Sequence, residues 1–308
     1  MSKSWDDLLA SKEFNVEHAL VLLVRHSLVM PVRYLYEPEF LTPYSDLLTH
    51  CHIYVIGFMP IIETGGVGRI ENDDLITSWL IAGKPRELHS KIPPGWKITI
   101  NSFGDWGIVD SEGSYILPDL LALRKQLGDE QNAIPFNVQY IGQAYGKNGS
   151  RQALDRLLPG HEKLQEICIK GPPEGYGVYL LLIQIEPNTQ LSTMFNTKAK
   201  NQGDAYNRIL SGLQKLEETT EAEKTTLYEA SLIRYFKPPY NKEFKENFPS
   251  TNMTLLQGCY DKDINAIIAE INIDDCFQLA SDDAAQSKYH VICHNLHAKE
   301  DRQVFFAI

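Results

Sequence analysis

The run Tyr176-Gly-Val-Tyr-Leu-Leu-Leu-Ile-Gln-Ile-Glu186 constrains the fold most. A strand with one wet face alternates apolar and polar residues, whereas an unbroken apolar run of this length needs cover on both faces. It therefore predicts a central strand with packed layers on each side. Residues 52–62 carry the same β-branched and aromatic character and read as a second buried strand.

The rest of the chain divides around these strands. Ser4 before Trp5-Asp6-Asp7 is an N-cap followed by early acids, and residues 1–28 are expected to be largely helical. Residues 39–49 suggest another short helix. Asn72-Asp73-Asp74 could cap a helix over 75–82. Glycines 65, 66 and 68 fall in a turn; without a lysine they do not match a phosphate-binding loop. A short strand is expected at 97–101 and a hairpin at 106–117, followed by a helix over 118–127. Residues 136–142 read as a strand. The segment from Arg151 to His161 reads as helix, broken near Pro159-Gly160. Two amphipathic helices follow at 204–218 and 220–236, the second stopped by Pro238-Pro239. Strands are expected at 266–273, 289–297 and 302–308. His290 and His294 would share a strand face as surface histidines.

Composition sets outer bounds. The 308 residues are 43% hydrophobic and 22% charged, as in a globular protein, and are enough for two or three domains. No apolar stretch is long enough to span a bilayer, and the N-terminus lacks a secretory layout, so a cytoplasmic location is expected. The five scattered cysteines suit reduced thiols rather than a zinc site.

The net charge of -11 argues against generic nucleic-acid binding. Two segments depart from it. Lys147, Arg151, Arg156, Lys163 and Lys170 outnumber Asp155, Glu162 and Glu166 over 140–170. Arg234, Lys237, Lys242 and Lys245 outnumber Glu243 over 234–245. These basic islands hold the groups that phosphodiester cleavage requires: a positioned water, charge neutralisation at phosphate and a stabilised leaving oxygen. Glu229 can ligate a hard cation such as Mg²⁺. Arg156 or Arg151 can clamp phosphate oxygens. Tyr140, Tyr115 or His161 can hold or deprotonate water.

Tyr140-Ile141-Gly142, Arg156-Leu157 followed by His161, and Glu229 followed by Asn241 at the end of Phe236-Lys-Pro-Pro-Tyr-Asn occur in an order that resembles the GIY-YIG nuclease superfamily, over about residues 105–248. Gly113-Ser114-Tyr115 is the counterpart of the family's first motif. The resemblance implies a small antiparallel sheet flanked by helices, an α+β fold. It implies one Mg²⁺ or Mn²⁺ on Glu229, and water oriented or activated by Tyr140 and Tyr115. Arg156 would stabilise the phosphate, His161 would assist proton transfer, and Asn241 would support the site. Lys147, Arg151, Lys163, Arg234, Lys237 and Lys242 would contact nucleic acid.

The expected organisation is an N-terminal α/β domain over 1–104, the nuclease-like domain over 105–250 and a small α+β extension over 251–308. The expected function is metal-dependent cleavage of DNA, with RNA left open. Restriction or defence against foreign DNA would fit it, as would a protein partner or regulator at the N-terminal domain. The alternative is a catalytically silent nucleic-acid-binding or protein-interaction module.

Overall fold

The two apolar runs lie side by side. Strand β11 (Tyr176–Ile185) pairs antiparallel with β2 (Ile53–Pro60), from Tyr176 opposite Pro60 to Ile183 opposite Ile53. Every residue of β2 is buried. On its other edge, β11 pairs with the long strand β1 (Val16–Pro31). The computed structural model describes residues 4–72, 74–102, 104, 106–116, 134–146, 149–249, 256, 259, 264–273 and 277–296.

The remaining strands of the main sheet are β10 (Ile134–Gln143), β12 (Gln190–Phe195), β13 (Ile264–Asn272), β14 (Phe277–Ala280) and β15 (Tyr289–Asn295). Their order is β14-β10-β2-β11-β1-β13-β15, with β12 also paired to β1. The β10–β14 and β1–β13 pairs are parallel and the others antiparallel. Leu279 of β14 bridges Ser287, two residues before β15, so the ends of the sheet approach each other. The small antiparallel sheet expected from the sequence is therefore replaced by a large mixed sheet that curls almost into a barrel. It takes β1 and β2 from residues 1–104, β10 to β12 from 105–250 and β13 to β15 from 251–308.

Among the described residues, the helices that accompany this sheet include α1 (Trp5–Ser11), α2 (Ala153–Leu157), α3 (Glu162–Lys170), α4 (Ala205–Glu218) and α5 (Glu221–Phe236). The last explains the curl. Thr220 and Glu223 form a capping box at its start; Lys237 turns left-handed at its end, ahead of Pro238-Pro239. Every residue from Leu227 to Ile233 is buried, so the helix needs cover all round. It packs against β10 on one side and β13 and β15 on the other. The Tyr228 hydroxyl donates to the Glu270 carbonyl (2.9 Å).

The opposite face of the sheet carries a second core. Tyr54, Ile56, Leu180 and Leu182 meet Ala153 and Leu157 of α2 and Leu164 and Ile167 of α3. Short helical turns at Pro38–Leu41 and Ser45–Leu48 close the rest of this face.

Two expected helices are strands. Residues 16–31 form β1, buried on both faces from Val16 to Leu22, which conceals its period of two. Residues expected as helix 75–82 form β5 (Asp74–Ile81), whose Ile76, Thr77, Trp79 and Ile81 favour a pleated surface over the local cap. This strand belongs to a separate sheet with β3 (Ile62–Thr64), β4 (Arg69–Glu71) and β6 (Lys84–Lys91). A third sheet joins β7 (Lys97–Ile100), β8 (Trp106–Val109) and β9 (Tyr115–Ile116), as the hairpin signal predicts. The expected elements at 118–127 and 302–308 lie outside the described residues. His290 and His294 are not surface histidines. His290 is buried against Tyr235 and the carbonyls of Leu279 and Ser287, and His294 contacts the Ser231 carbonyl.

Cys51 and Cys168 are free thiols, and Cys276 is outside the described residues. Among the described residues no helix is long and apolar enough to cross a membrane.

Candidate active site

Tyr54 and Tyr140 stand on adjacent strands of one sheet face, their ring centroids 6.2 Å apart. Gly142 is the cross-strand partner of Tyr54. A Cβ there would lie 2.5 Å from the Tyr54 hydroxyl and 2.8 Å from the Tyr140 ring. The glycine of Tyr-Ile-Gly thus makes room for both tyrosines.

Three groups meet at the Tyr54 oxygen. Arg156 of α2 donates through Nε at 3.1 Å. His161 Nε2 lies 2.8 Å away. His161 is also the N-cap of α3, where its Nδ1 accepts the Leu164 amide at 3.1 Å. A neutral ring that accepts through Nδ1 carries its proton on Nε2, so His161 donates to Tyr54. Burial, reinforced by the Arg156 charge, lowers the His161 pKa to about 4 and keeps the ring neutral. With two donors on its oxygen, Tyr54 can give its own proton to Tyr140, with which it hydrogen-bonds. Burial raises the pKa of both tyrosines, and the Glu229 charge raises that of Tyr140 further.

Glu229 arrives on α5. Strand β14 pairs with β10 only over residues 134–137, so the β10 edge beyond them is open. Past this edge Glu229 faces the cleft, its carboxylate accepting from the backbone of Gln143. Burial raises its pKa to about 8, against the opposing charge of Arg156. Asn241 occupies the same edge. Its Oδ1 accepts the Ile141 amide at 2.9 Å and its Nδ2 donates to the Ile141 carbonyl at 2.8 Å. The side chain thus serves β10 as a short stretch of neighbouring strand. The Tyr240 amide extends this pairing to the Gln139 carbonyl (3.2 Å).

The result is a cleft of about 500 Å³ lined by Tyr140, Arg156, Glu229 and Asn241, together with Lys163 and Lys242. His161 supports it from beneath, through Tyr54. Other predicted residues lie elsewhere. Tyr115 is in β9, its ring over Gly107 in the third sheet. Arg151 is exposed outside the lining, though its charge reaches His161. Arg234 and Lys237 pair with Glu246, and Lys237 also with Asp283. Lys147 is outside the described residues.

Sequence reasoning missed Tyr54. Its signal is the Ile53-Tyr54 pair at the head of a strand that reads as buried, but Tyr54 precedes the span of about residues 105–248 over which the motifs follow one another. Tyr240 and Glu243 also line the cleft, and the Glu243 charge contributes to the raised pKa of Glu229.

A buried carboxylate facing an open, polar cleft suits a hard cation that keeps most of its waters. Among the described residues no three His, Cys, Asp or Glu side chains gather. A cation here would rest on Glu229, with water and phosphate oxygens completing its shell. Comparison with known proteins returns no matching family model, curated protein or solved structure.

Proposed function

We propose that this cleft hydrolyses phosphodiester bonds in DNA with Mg²⁺ or Mn²⁺, as a nuclease of the GIY-YIG type. The observation that carries the reading is convergence. Tyr54, Tyr140, Arg156, His161, Glu229 and Asn241 come from β2, β10, α2, the loop before α3, α5 and the turn after it, and meet around one cleft. In this reading His52-Ile53-Tyr54 takes the place of the first motif, with histidine where the family has glycine.

The roles follow from the contacts. A cation on Glu229 would neutralise charge developing on the phosphate and leaving oxygen. Arg156 is anchored through Nε, and among the described residues its terminal nitrogens are left for phosphate oxygens. Tyr140 lines the cleft and orients the attacking water. Tyr54, held by the N–H donors of Arg156 and His161, donates its hydroxyl hydrogen to Tyr140 and so fixes the orientation of that hydroxyl. Lys242 supplies local positive charge for the backbone, and Lys163 does so in part, being paired with Glu166 at 2.7 Å, within a chain of net charge -11. A role in defence against foreign DNA fits such an activity.

The test is incubation with duplex DNA, single-stranded DNA and RNA, with and without Mg²⁺, beside Glu229→Ala. Mg²⁺-dependent cleavage of DNA that is lost in the variant supports the proposal. Salt-sensitive binding without cleavage would instead indicate a silent nucleic-acid-binding module.

A further inference from the structure

A cavity of about 610 Å³ lies between β1, β11 and the segment that follows β1. This is within the usual range for small-molecule sites. Three aromatic rings form one wall. Tyr34 stacks on Phe40 with centroids 4.2 Å apart, and Phe40 meets Tyr44 at 5.6 Å. Val29, Met59 and Ile61 line the apolar side. Among the described residues Arg33 is the only charged one in the lining; its guanidinium lies 5.0 Å from the Tyr34 ring centroid, and it makes no ion pair there. No carboxylate of the described residues lines the cavity. Flat aromatic walls, an apolar side and a cation that makes no ion pair among the described residues, although the Glu37 charge reaches it, suit a planar heterocycle that carries a negative charge.

Its place in the fold matters as well. Val178 lines the cavity and pairs with Phe58, while Tyr54 pairs with Leu182. Positions four apart in a strand share a face. The part of the cavity lined by Val178, Tyr34 and Phe40 therefore lies on the tyrosine cluster's side of the sheet, about 13 Å away along β2, while Val29, Met59 and Tyr179 reach it from the other face. That distance corresponds to about four base steps of duplex DNA.

We propose that this cavity is a nucleotide-binding pocket, with the base against Tyr34, Phe40 and Tyr44 and the phosphate at Arg33. The ligand comes either from DNA, as a base turned out of the stack, or from solution as a free nucleotide. Contact with the aromatic wall would offset the cost of unstacking the base. The pocket goes beyond the nuclease reading and does not depend on it, because nucleotide binding is measured without cleavage.

The experiment is calorimetric titration of the full chain with dAMP and dTMP, with deoxyadenosine and deoxyribose 5-phosphate as controls. Saturable binding of a mononucleotide is expected. Phe40→Ala should weaken it at least about tenfold through lost stacking. Arg33→Gln should weaken dAMP but leave deoxyadenosine unchanged; being exposed, it serves as the second variant should Phe40→Ala fail to fold. No binding of either nucleotide, or equal binding of deoxyribose 5-phosphate, would overturn the pocket. Duplexes with 2-aminopurine walked along one strand identify the source. A fluorescence rise that dAMP suppresses and Phe40→Ala abolishes supports a base from DNA. Mononucleotide binding without that rise supports a free nucleotide.

Discussion

At the scale of single residues, the site trades stability for chemistry. Glu229 has a pKa near 8 in the fold, above its ordinary value, because burial opposes its charge. The folded protein therefore holds this proton more tightly than the unfolded chain. The stability associated with it is complete below the unfolded value and is lost as pH rises toward about 8. Glu229→Gln cannot ionise. It should be more stable than wild type by ~2–4 kcal/mol at slightly alkaline pH, yet inactive, in parallel denaturant and cleavage measurements. Equal stability at every pH would contradict a buried, strained carboxylate. His161 behaves in the opposite sense. Its folded pKa of about 4 lies below the ordinary 6.5, so the unfolded chain takes up the proton first. Stability should be full above about pH 6.5 and fall by up to roughly 3 kcal/mol as the pH drops toward 4. Denaturant titrations of wild type and His161→Asn would show it, the variant lacking that loss. Arg156, His161, Glu229 and Asn241 are legible as an ordered set because each lies in a local motif, in chain order after Tyr140-Ile141-Gly142. Tyr54 is not. The third member of its cluster, Tyr140, lies beyond β3 to β9, and only strand pairing brings the two tyrosines together.

At the scale of elements, the open edge of β10 is the feature on which the site turns. Asn241 satisfies both polar groups of the Ile141 peptide there. Asn241→Ala would leave a buried amide and carbonyl unpaired, a loss of about 1–3 kcal/mol. It should lower the melting temperature and also cleavage, because Tyr140 and Gly142 flank that peptide. Asn241→Asp, which keeps the acceptor and loses the donor, should fall between. Melting and single-turnover rates check both; an unchanged rate in Asn241→Ala would remove Asn241 from the support of the site. Strands β2 and β11 were legible because their apolar runs have no helical period. Strand β1 was mistaken for helix because burial on both faces removed its alternation. Strand β5 was mistaken because a local N-cap signal preceded residues whose pairing with β6 decides their state.

At the scale of the whole molecule, the nearly closed sheet makes α5 a product of distant segments. Its enclosing strands come from both ends of the chain. A fragment of residues 105–250 would lack β1, β2 and β13 to β15, exposing the buried surface of α5 and half of the tyrosine pair. It should show no cooperative melt by circular dichroism; a sharp native-like transition would contradict the enclosure. This closure was not legible, since strand order and the bridge between Leu279 and Ser287 are long-range facts without local signature. The central claim is that the cleft of Tyr54, Tyr140, Arg156, His161 and Glu229 cuts DNA. The most direct test is the initial rate of Mg²⁺-dependent DNA cleavage by wild type, Glu229→Ala, Tyr54→Phe and Tyr115→Phe. The account predicts cleavage by wild type, loss of about a hundredfold or more in Glu229→Ala and Tyr54→Phe, and an unchanged rate in Tyr115→Phe. A wild type that cuts nothing, or a Glu229→Ala that cuts as fast, would contradict it.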